Sequence, residues 1–270
     1  MAVVAVKLEP FRQEKCWSTL LWFVCCCCAV ATRSLLSKLD GGNLLLIGDS
    51  LTAGSVRNGN HIIDSHPYSI QLGRRLTEHG YNVSIALRAN PGERLQSIVS
   101  RIKQELETYQ PRCVVLMGGT NDLLASESAF VVFQRLSSVF RAILERKIFL
   151  IALAIPPEHQ GEKHQIRNQK RLGVNGSING TAASCPGKMA MVNTDTRPFA
   201  PDIGNISASL LLSEWNETQM IQKNVFSDGL HLTPMGYDIL GEMVFLTLRD
   251  FQVTESPELG EGGKCAILES

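Results

Sequence analysis

From residue 43 onward the chain alternates short apolar runs with longer stretches in which apolar residues recur every three or four positions. Leu44-Leu45-Leu46-Ile47 is a continuous apolar run closed by Gly48, the pattern of a strand covered on both faces. Pro67 to His79 is predicted to be helical, with Ile70, Leu72 and Leu76 as apolar positions and Gly80 as its stop. Val83 to Leu87 reads as a second strand. Glu93 to Tyr109 is a helix by periodicity: Leu95, Ile98, Val99, Ile102 and Leu106 share one face and charged residues occupy the other. Cys113 to Met117 is the third strand, Ser128 to Arg146 a further helix, and Ile148 to Ile155 a fourth strand ended by Pro156-Pro157.

The pattern weakens between Glu158 and Ser227. Glu158 to Leu172 reads as a polar helix and Met189 to Val192 as a short fifth strand, while residues 194–227 read as a long surface loop. Thr233-Pro234 supplies an N-cap followed by a first-turn proline, and the helix it opens runs to Asp250 through Ile239, Leu240, Val244, Phe245 and Leu248. The tail from Thr254 to Ser270 is rich in Glu and Gly and is expected to be disordered. There is no internal repeat. Strand and helix in strict alternation predict an α/β fold, a parallel sheet with helices on both faces and right-handed crossovers.

Composition narrows the partners. Lys plus Arg and Asp plus Glu each total 26, and no basic stripe stands out, so nucleic acid is not an expected partner. Of the 8 cysteines most lie near the N-terminus, as Cys16 and the run Cys25 to Cys28; Cys113, Cys185 and Cys265 remain in the body. No disulfide framework and no zinc-spaced pair is evident. Basic Lys7, Arg12 and Lys15 precede an apolar stretch from Cys16 to Ala31, ending in the small-x-small Ala29-Val30-Ala31. Residues 1–31 thus read as a targeting or anchoring segment. It is either cleaved or retained, with membrane association through residues 16–31, and a cytosolic helix is the plainer alternative. Asn-x-Ser/Thr sequons at Asn82, Asn175, Asn179, Asn205 and Asn216 favour a secretory route over a cytoplasmic one, although Asn82, at the start of a strand, is expected to be inaccessible.

The candidate chemistry sits at the ends of the predicted strands. Ser50 follows the first, Gly92 the second and Asn121 the third, while Asp228 and His231 stand just before the last helix. Open α/β sheets place their ligands at the carboxyl ends of the strands. A serine hydroxyl becomes a nucleophile once a base takes its proton, and His231 is the candidate base, with Asp228 to orient it. Attack on a carbonyl also develops an oxyanion. The backbone N–H groups of Ser50 and Gly92 and the side-chain amide of Asn121 are the donors this order offers. Taken singly these residues have plainer roles: Ser50 as a helix cap, Asn121 as a turn residue, Asp228 as a turn cap and His231 as a packed histidine. Asp49 and Asp122 read as loop-holding carboxylates. His61, His66 and His79 read as surface or loop residues, and His159 with His164 is poorly spaced for a metal.

Gly48-Asp49-Ser50-Leu51, Gly92, Gly119-Thr120-Asn121-Asp122 and Asp228-Gly229-Leu230-His231 in this order resemble the blocks of a GDSL-type esterase/lipase of the SGNH hydrolase superfamily. The resemblance spans roughly residues 43–250 and implies a flavodoxin-like three-layer α/β/α sandwich of about five parallel strands. It also implies a metal-free, cofactor-free hydrolase, with Ser50, Asp228 and His231 catalytic and Ser50, Gly92 and Asn121 forming the oxyanion hole. Proline at position 91 departs from the family's small residue there, and Arg167 to Ile178 reads as a remnant of the vaguely patterned fourth block. The expected activity is serine-dependent hydrolysis of small or lipid-derived carboxylic esters through an acyl-enzyme. A non-catalytic sugar- or lipid-binding module and an acyltransferase using the same serine remain as alternatives.

Overall fold

The computed structural model describes residues 32–59, 61–159, 164–195, 225–254 and 265–269. The segment 1–31, the sequons at Asn205 and Asn216 and most of the 194–227 loop lie outside the described residues. The described chain opens with β1 (Thr32–Ser34), α1 (Leu35–Leu39), β2 (Asn43–Gly48), the strands β3 (Ser55–Asn58) and β4 (His61–Ser65), α2 (Ser69–Glu78), β5 (Ser84–Ala89) and α3 (Leu95–Tyr109). It continues through β6 (Cys113–Met117), α4 (Thr120–Leu124), α5 (Ala129–Leu144), β7 (Phe149–Leu153), α6 (His164–Ser184), β8 (Met189–Val192), α7 (Pro234–Asp250), β9 (Gln252–Thr254) and α8 (Ala266–Glu269).

Five strands form one sheet in the order β5-β2-β6-β7-β8, and every neighbouring pair is parallel. That is the doubly wound order in which the chain reverses its direction of travel beside the first strand. Alternation along β2 sends Leu44 and Leu46 into one core with α1, α2 and α7, and Leu45 and Ile47 into another with α3, α5 and α6. All four are fully buried, each worth about 1.5–3 kcal/mol by the usual transfer scale, which is why no polar residue interrupts the run. β5, at the sheet edge, is only partly covered and correspondingly mixed in polarity. The three-layer α/β/α sandwich implied by the sequence is the one observed.

Several elements were not legible from periodicity. β3 and β4 pair as an antiparallel hairpin, and β1 pairs with β9, joining the two ends of the domain. Instead of a short polar helix over 158–172, α6 runs through Gly173, Gly176 and Gly180 to Ser184. Its buried Arg171, Val174, Asn175 and Ile178 pack inward, and that packing overrides the low helical propensity of the glycines. Asn175 is 3% exposed and bonded by both side-chain atoms, so its sequon is closed to a glycan, whereas Asn179 is exposed. Asn82 is also exposed, in the connector before β5 rather than inside it, which corrects the expectation that it is inaccessible.

The cysteines give a second correction. Cys185 and Cys265 form a disulfide, and both are buried. Two cysteines 80 residues apart carry no spacing signal, and only the return of the C-terminus to α5 and α6 brings them together. The tail expected to be disordered is therefore helical over Ala266–Glu269, with Ile267 buried against the α5 side of the core. Closing so long a loop constrains the unfolded chain, so Cys265→Ser should lower stability by about 2–5 kcal/mol. Non-reducing peptide mapping should recover the linked pair, and thermal melts with and without reductant should reproduce the loss. Equal melting temperatures in the two conditions would contradict the pairing.

Candidate active site

Parallel register brings the site together. Gly48, the last residue of β2, lies level with Ala89 of β5 and Met117 of β6. The chain therefore leaves three adjacent strands at one height, and Ser50, Gly92 and Asn121 follow within four residues of those exits. Gly48 has to be glycine: a Cβ there would lie 2.2 Å from Thr52 Oγ1 and 2.3 Å from the Met117 carbonyl oxygen. Beyond it the chain turns tightly, with Ala53 N–H donating to Asp49 O and Ser55 N–H to Ser50 O, both at 2.9 Å. This turn lifts the Ser50 side chain out of the sheet plane. Its Oγ lies 3.0 Å from His231 Nε2 and caps no helix.

Gly92 occupies the third position of a turn in which Glu93 N–H donates to Asn90 O at 3.1 Å. Its φ of 80° is the left-handed value that such a turn requires after proline, so Pro91 fits the position despite departing from the expected small residue. Asn121 lies in the first turn of α4 and leans onto the same turn. Its Nδ2 donates to the Glu93 carbonyl oxygen at 3.0 Å and, over a longer 3.3 Å, to Asp49 Oδ2. A backbone carbonyl can only accept, so the nitrogen of the carboxamide faces this side of the site. Asp122 holds the surrounding loops, as expected: its carboxylate accepts from Leu95 N–H at 2.9 Å and from Arg135 at 2.6 Å.

Asp228 and His231 come from a loop that folds on itself just before α7. Ser227 N–H donates to His231 O at 2.7 Å, Thr233 N–H to Val225 O at 2.8 Å, and Phe226 bridges Leu232. Thr233 then caps α7, as predicted, by accepting from Gly236 N–H. Asp228 Oδ2 lies 2.8 Å from His231 Nδ1, and Oδ1 accepts from the backbone N–H groups of Leu230 and His231 at 3.0 and 2.7 Å. Partial burial works to raise the Asp228 carboxyl. The hydrogen bond from the His231 ring and the two backbone donors outweigh it and hold the group at about 2. Asp228 is thus an ionised acceptor, so in the neutral imidazole Nδ1 carries the proton and Nε2 is free to accept from Ser50. Ser50 and His231 are 6% and 5% exposed, which leaves the line shielded from bulk water but reachable.

Two further residues tie this loop and the helix that follows it to the hairpin. Ser227 Oγ accepts from Arg57 N–H at 3.2 Å and donates to His231 O at 3.1 Å, and Tyr237 OH donates to Ser55 O at 2.9 Å. His66 lies in a loop, one of its two expected settings, is partly buried and bonds Asp238 of α7 at 2.8 Å. Next to Asn121 and His231 in the chain, Thr120 and Leu230 line a pocket walled by Leu123, Leu124, Ile155 and Pro156 and by the polar Glu158, Arg167, Asn168 and Arg171. The Thr120 hydroxyl is buried and has no hydrogen-bond partner. Among the described residues no group of three His, Cys, Asp or Glu gathers in a way that could hold a metal ion.

Asp49 stands apart electrostatically. Complete burial pushes its carboxyl up to about 7 against the lowering effect of Leu51 N–H, and the nearby charges of Asp122 and Glu93 add to the rise. A carboxyl whose folded value exceeds its unfolded 3.8 favours the folded state below that value and weakens it as pH rises to about 7. Asp49→Asn should therefore melt at a temperature that gains steadily on the wild type between pH 4 and 7 and holds its lead above that range. A constant difference across the series would show that Asp49 is ionised throughout.

Among curated proteins none matches the sequence. A family model described as GDSL-like Lipase/Acylhydrolase matches residues 46–239, well over half of the chain. Solved structures share the fold at low identity. The lipase/acylhydrolase from Enterococcus faecalis is 17% identical, with a TM-score of 0.56 over 80% of this chain and 100% of that one. TesA is 21% identical, with a TM-score of 0.56 over 77% and 99% of the two chains. A Clostridium thermocellum family 3 carbohydrate esterase is 20% identical, with a TM-score of 0.55 over 76% and 94%. With its doubly wound sheet, its Ser50, Asn121 and His231 blocks in order, and this match, the chain belongs to the GDSL-like lipase/acylhydrolase family of ester hydrolases.

Proposed function

We propose that the protein is a serine-dependent carboxylic ester hydrolase that works through an acyl-enzyme. The observation that carries this reading is the unbroken line from Ser50 Oγ through His231 to Asp228, with separations of 3.0 and 2.8 Å. Ser50 Oγ attacks the ester carbonyl carbon while its proton passes to His231 Nε2. The imidazolium, stabilised by ionised Asp228, returns that proton to the departing alcohol. Water then repeats the sequence, with His231 as base and Ser50 as leaving group, and releases the acid. The oxyanion of each tetrahedral intermediate faces the Ser50 and Gly92 backbone and the Asn121 amide, which gives up its longer bond to Asp49 to meet it.

The pocket beside Thr120 and Leu230 combines apolar walls, Leu123, Leu124, Ile155 and Pro156, with the polar Glu158, Arg167, Asn168 and Arg171, which supports a substrate that carries a compact apolar portion next to polar groups. Small acyl esters and lipid-derived esters both meet that description. The buried Cys185–Cys265 disulfide and the exposed Asn179 sequon support a secretory compartment, where disulfides form and persist.

Ser50→Ala should abolish turnover of a short p-nitrophenyl ester and labelling by a fluorophosphonate, with the melting temperature retained. Asn121→Ala should lower kcat by roughly 100- to 1,000-fold, the usual effect of deleting one oxyanion donor. Full turnover by Ser50→Ala would remove Ser50 as the nucleophile, and a wild type that neither labels nor turns over would favour a binding module instead. Transfer of the acyl group to an added alcohol, seen in the products, would move it toward acyl transfer.

A further inference from the structure

The bonds within residues 225–232 fix the shape of the Asp228–His231 loop, but not its position relative to Ser50. One bond that does so is His159 N–H to Gly229 O at 2.8 Å, because Gly229 lies directly between the two functional residues. The His159 ring adds an edge contact to Phe226, with centroids 4.7 Å apart. His159 belongs to a strap that follows β7 and includes residues 154–159. The strap contains Pro156 and Pro157, which have no N–H to offer a sheet ladder.

Its support comes from α6 instead. Asn175 Oδ1 accepts from Ile155 N–H at 2.9 Å and its Nδ2 donates to Ile155 O at 3.1 Å. Two helical turns earlier, Asn168 does the same for Glu158, accepting from its N–H at 3.1 Å and donating to its carbonyl oxygen at 2.7 Å. Each carboxamide thus replaces a strand partner on one side of the prolines. Arg171, between them on the helix, donates to both Ile155 O and Asn168 Oδ1 at 3.0 Å, and Asp195 neutralises it. Arg167 grips the Glu158 carboxylate through two nitrogens.

We propose that Asn168, assisted by Arg167, is a positioning residue for the catalytic loop: by clamping Glu158 it sets His159 N–H against Gly229 O and so holds His231 in line with Ser50. The inference rests on the serine-hydrolase reading, and its test separates the two. Wild type, Ser50→Ala, Asn168→Ala and the exposed control Gln169→Ala are compared by p-nitrophenyl acetate kinetics, fluorophosphonate labelling and thermal melting. The downfield proton resonance of the Asp228–His231 hydrogen bond is followed by NMR. Asn168→Ala should lower kcat and the labelling rate together, on the order of 10- to 100-fold as expected for a misplaced catalytic group. KM should stay within about threefold of wild type, the NMR resonance should broaden, and Gln169→Ala should match wild type. A kcat within about twofold of wild type, or a rise in KM alone, would overturn the proposal and leave Asn168 as a pocket wall. Arg167→Ala, which removes one grip on Glu158 and leaves both carboxamides, should show the same effects at smaller size, and it decides the question if Asn168→Ala does not fold. A wild type that neither labels nor turns over would count against the hydrolase reading itself, whereas a labelled wild type with an equally reactive Asn168→Ala counts against the positioning role alone.

Discussion

A parallel sheet delivers all of its strands to one edge, and here the register of β2 against β5 and β6 decides which residues meet there. Gly48, Ala89 and Met117 stand side by side, so the three turns that follow converge without any long excursion of the chain. A shift of one residue in β2 would send Leu44 and Leu46 to the wrong core and carry Ser50 away from His231. The fully buried run Leu44 to Ile47 makes that shift costly, so the burial that stabilises the sheet also fixes the nucleophile.

Polar groups then refine what burial has placed. Asp228 uses one oxygen on the His231 ring and the other on two backbone donors, which locks both the tautomer and the loop. Asp49 sits beneath the site, fully buried and held by Leu51 N–H and the Asn121 amide. A buried carboxyl in that position raises the energy of the folded state at neutral pH, and its contact with the Asn121 amide ties this cost to the candidate oxyanion donor. On the far side of the loop, two carboxamides of α6 do for the proline strap what a neighbouring strand does for β2.

Much of this is readable in the amino-acid chain alone. Strand runs such as Cys113 to Met117 and helix faces such as Leu95 to Leu106 are strong because burial on a sheet or a helix leaves a period of its own. The order of Ser50, Gly92, Asn121, Asp228 and His231 was legible because each lies within a few residues of a strand or helix end. The structure brings Ser50, Asp228 and His231 into one hydrogen-bonded line and sets Asn121 on the turn of Gly92. Asn168, Arg171 and Asn175 were not legible: a polar residue on a glycine-containing helix looks the same whether it faces solvent or a strap.

Local pattern, then, determined what depends on nearest neighbours along the chain: the strands, most helix faces, the Thr233 cap and the residue types that carry the chemistry. Tertiary structure decided what depends on residues far apart in sequence. The Cys185–Cys265 bond, the inaccessible sequon at Asn175, the upward shift of Asp49 and the seating of His159 on Gly229 all belong to this second group. Burial and partnership are properties of the packed chain, and no periodicity in the sequence encodes a contact between segments whose separation is fixed only when the sheet closes.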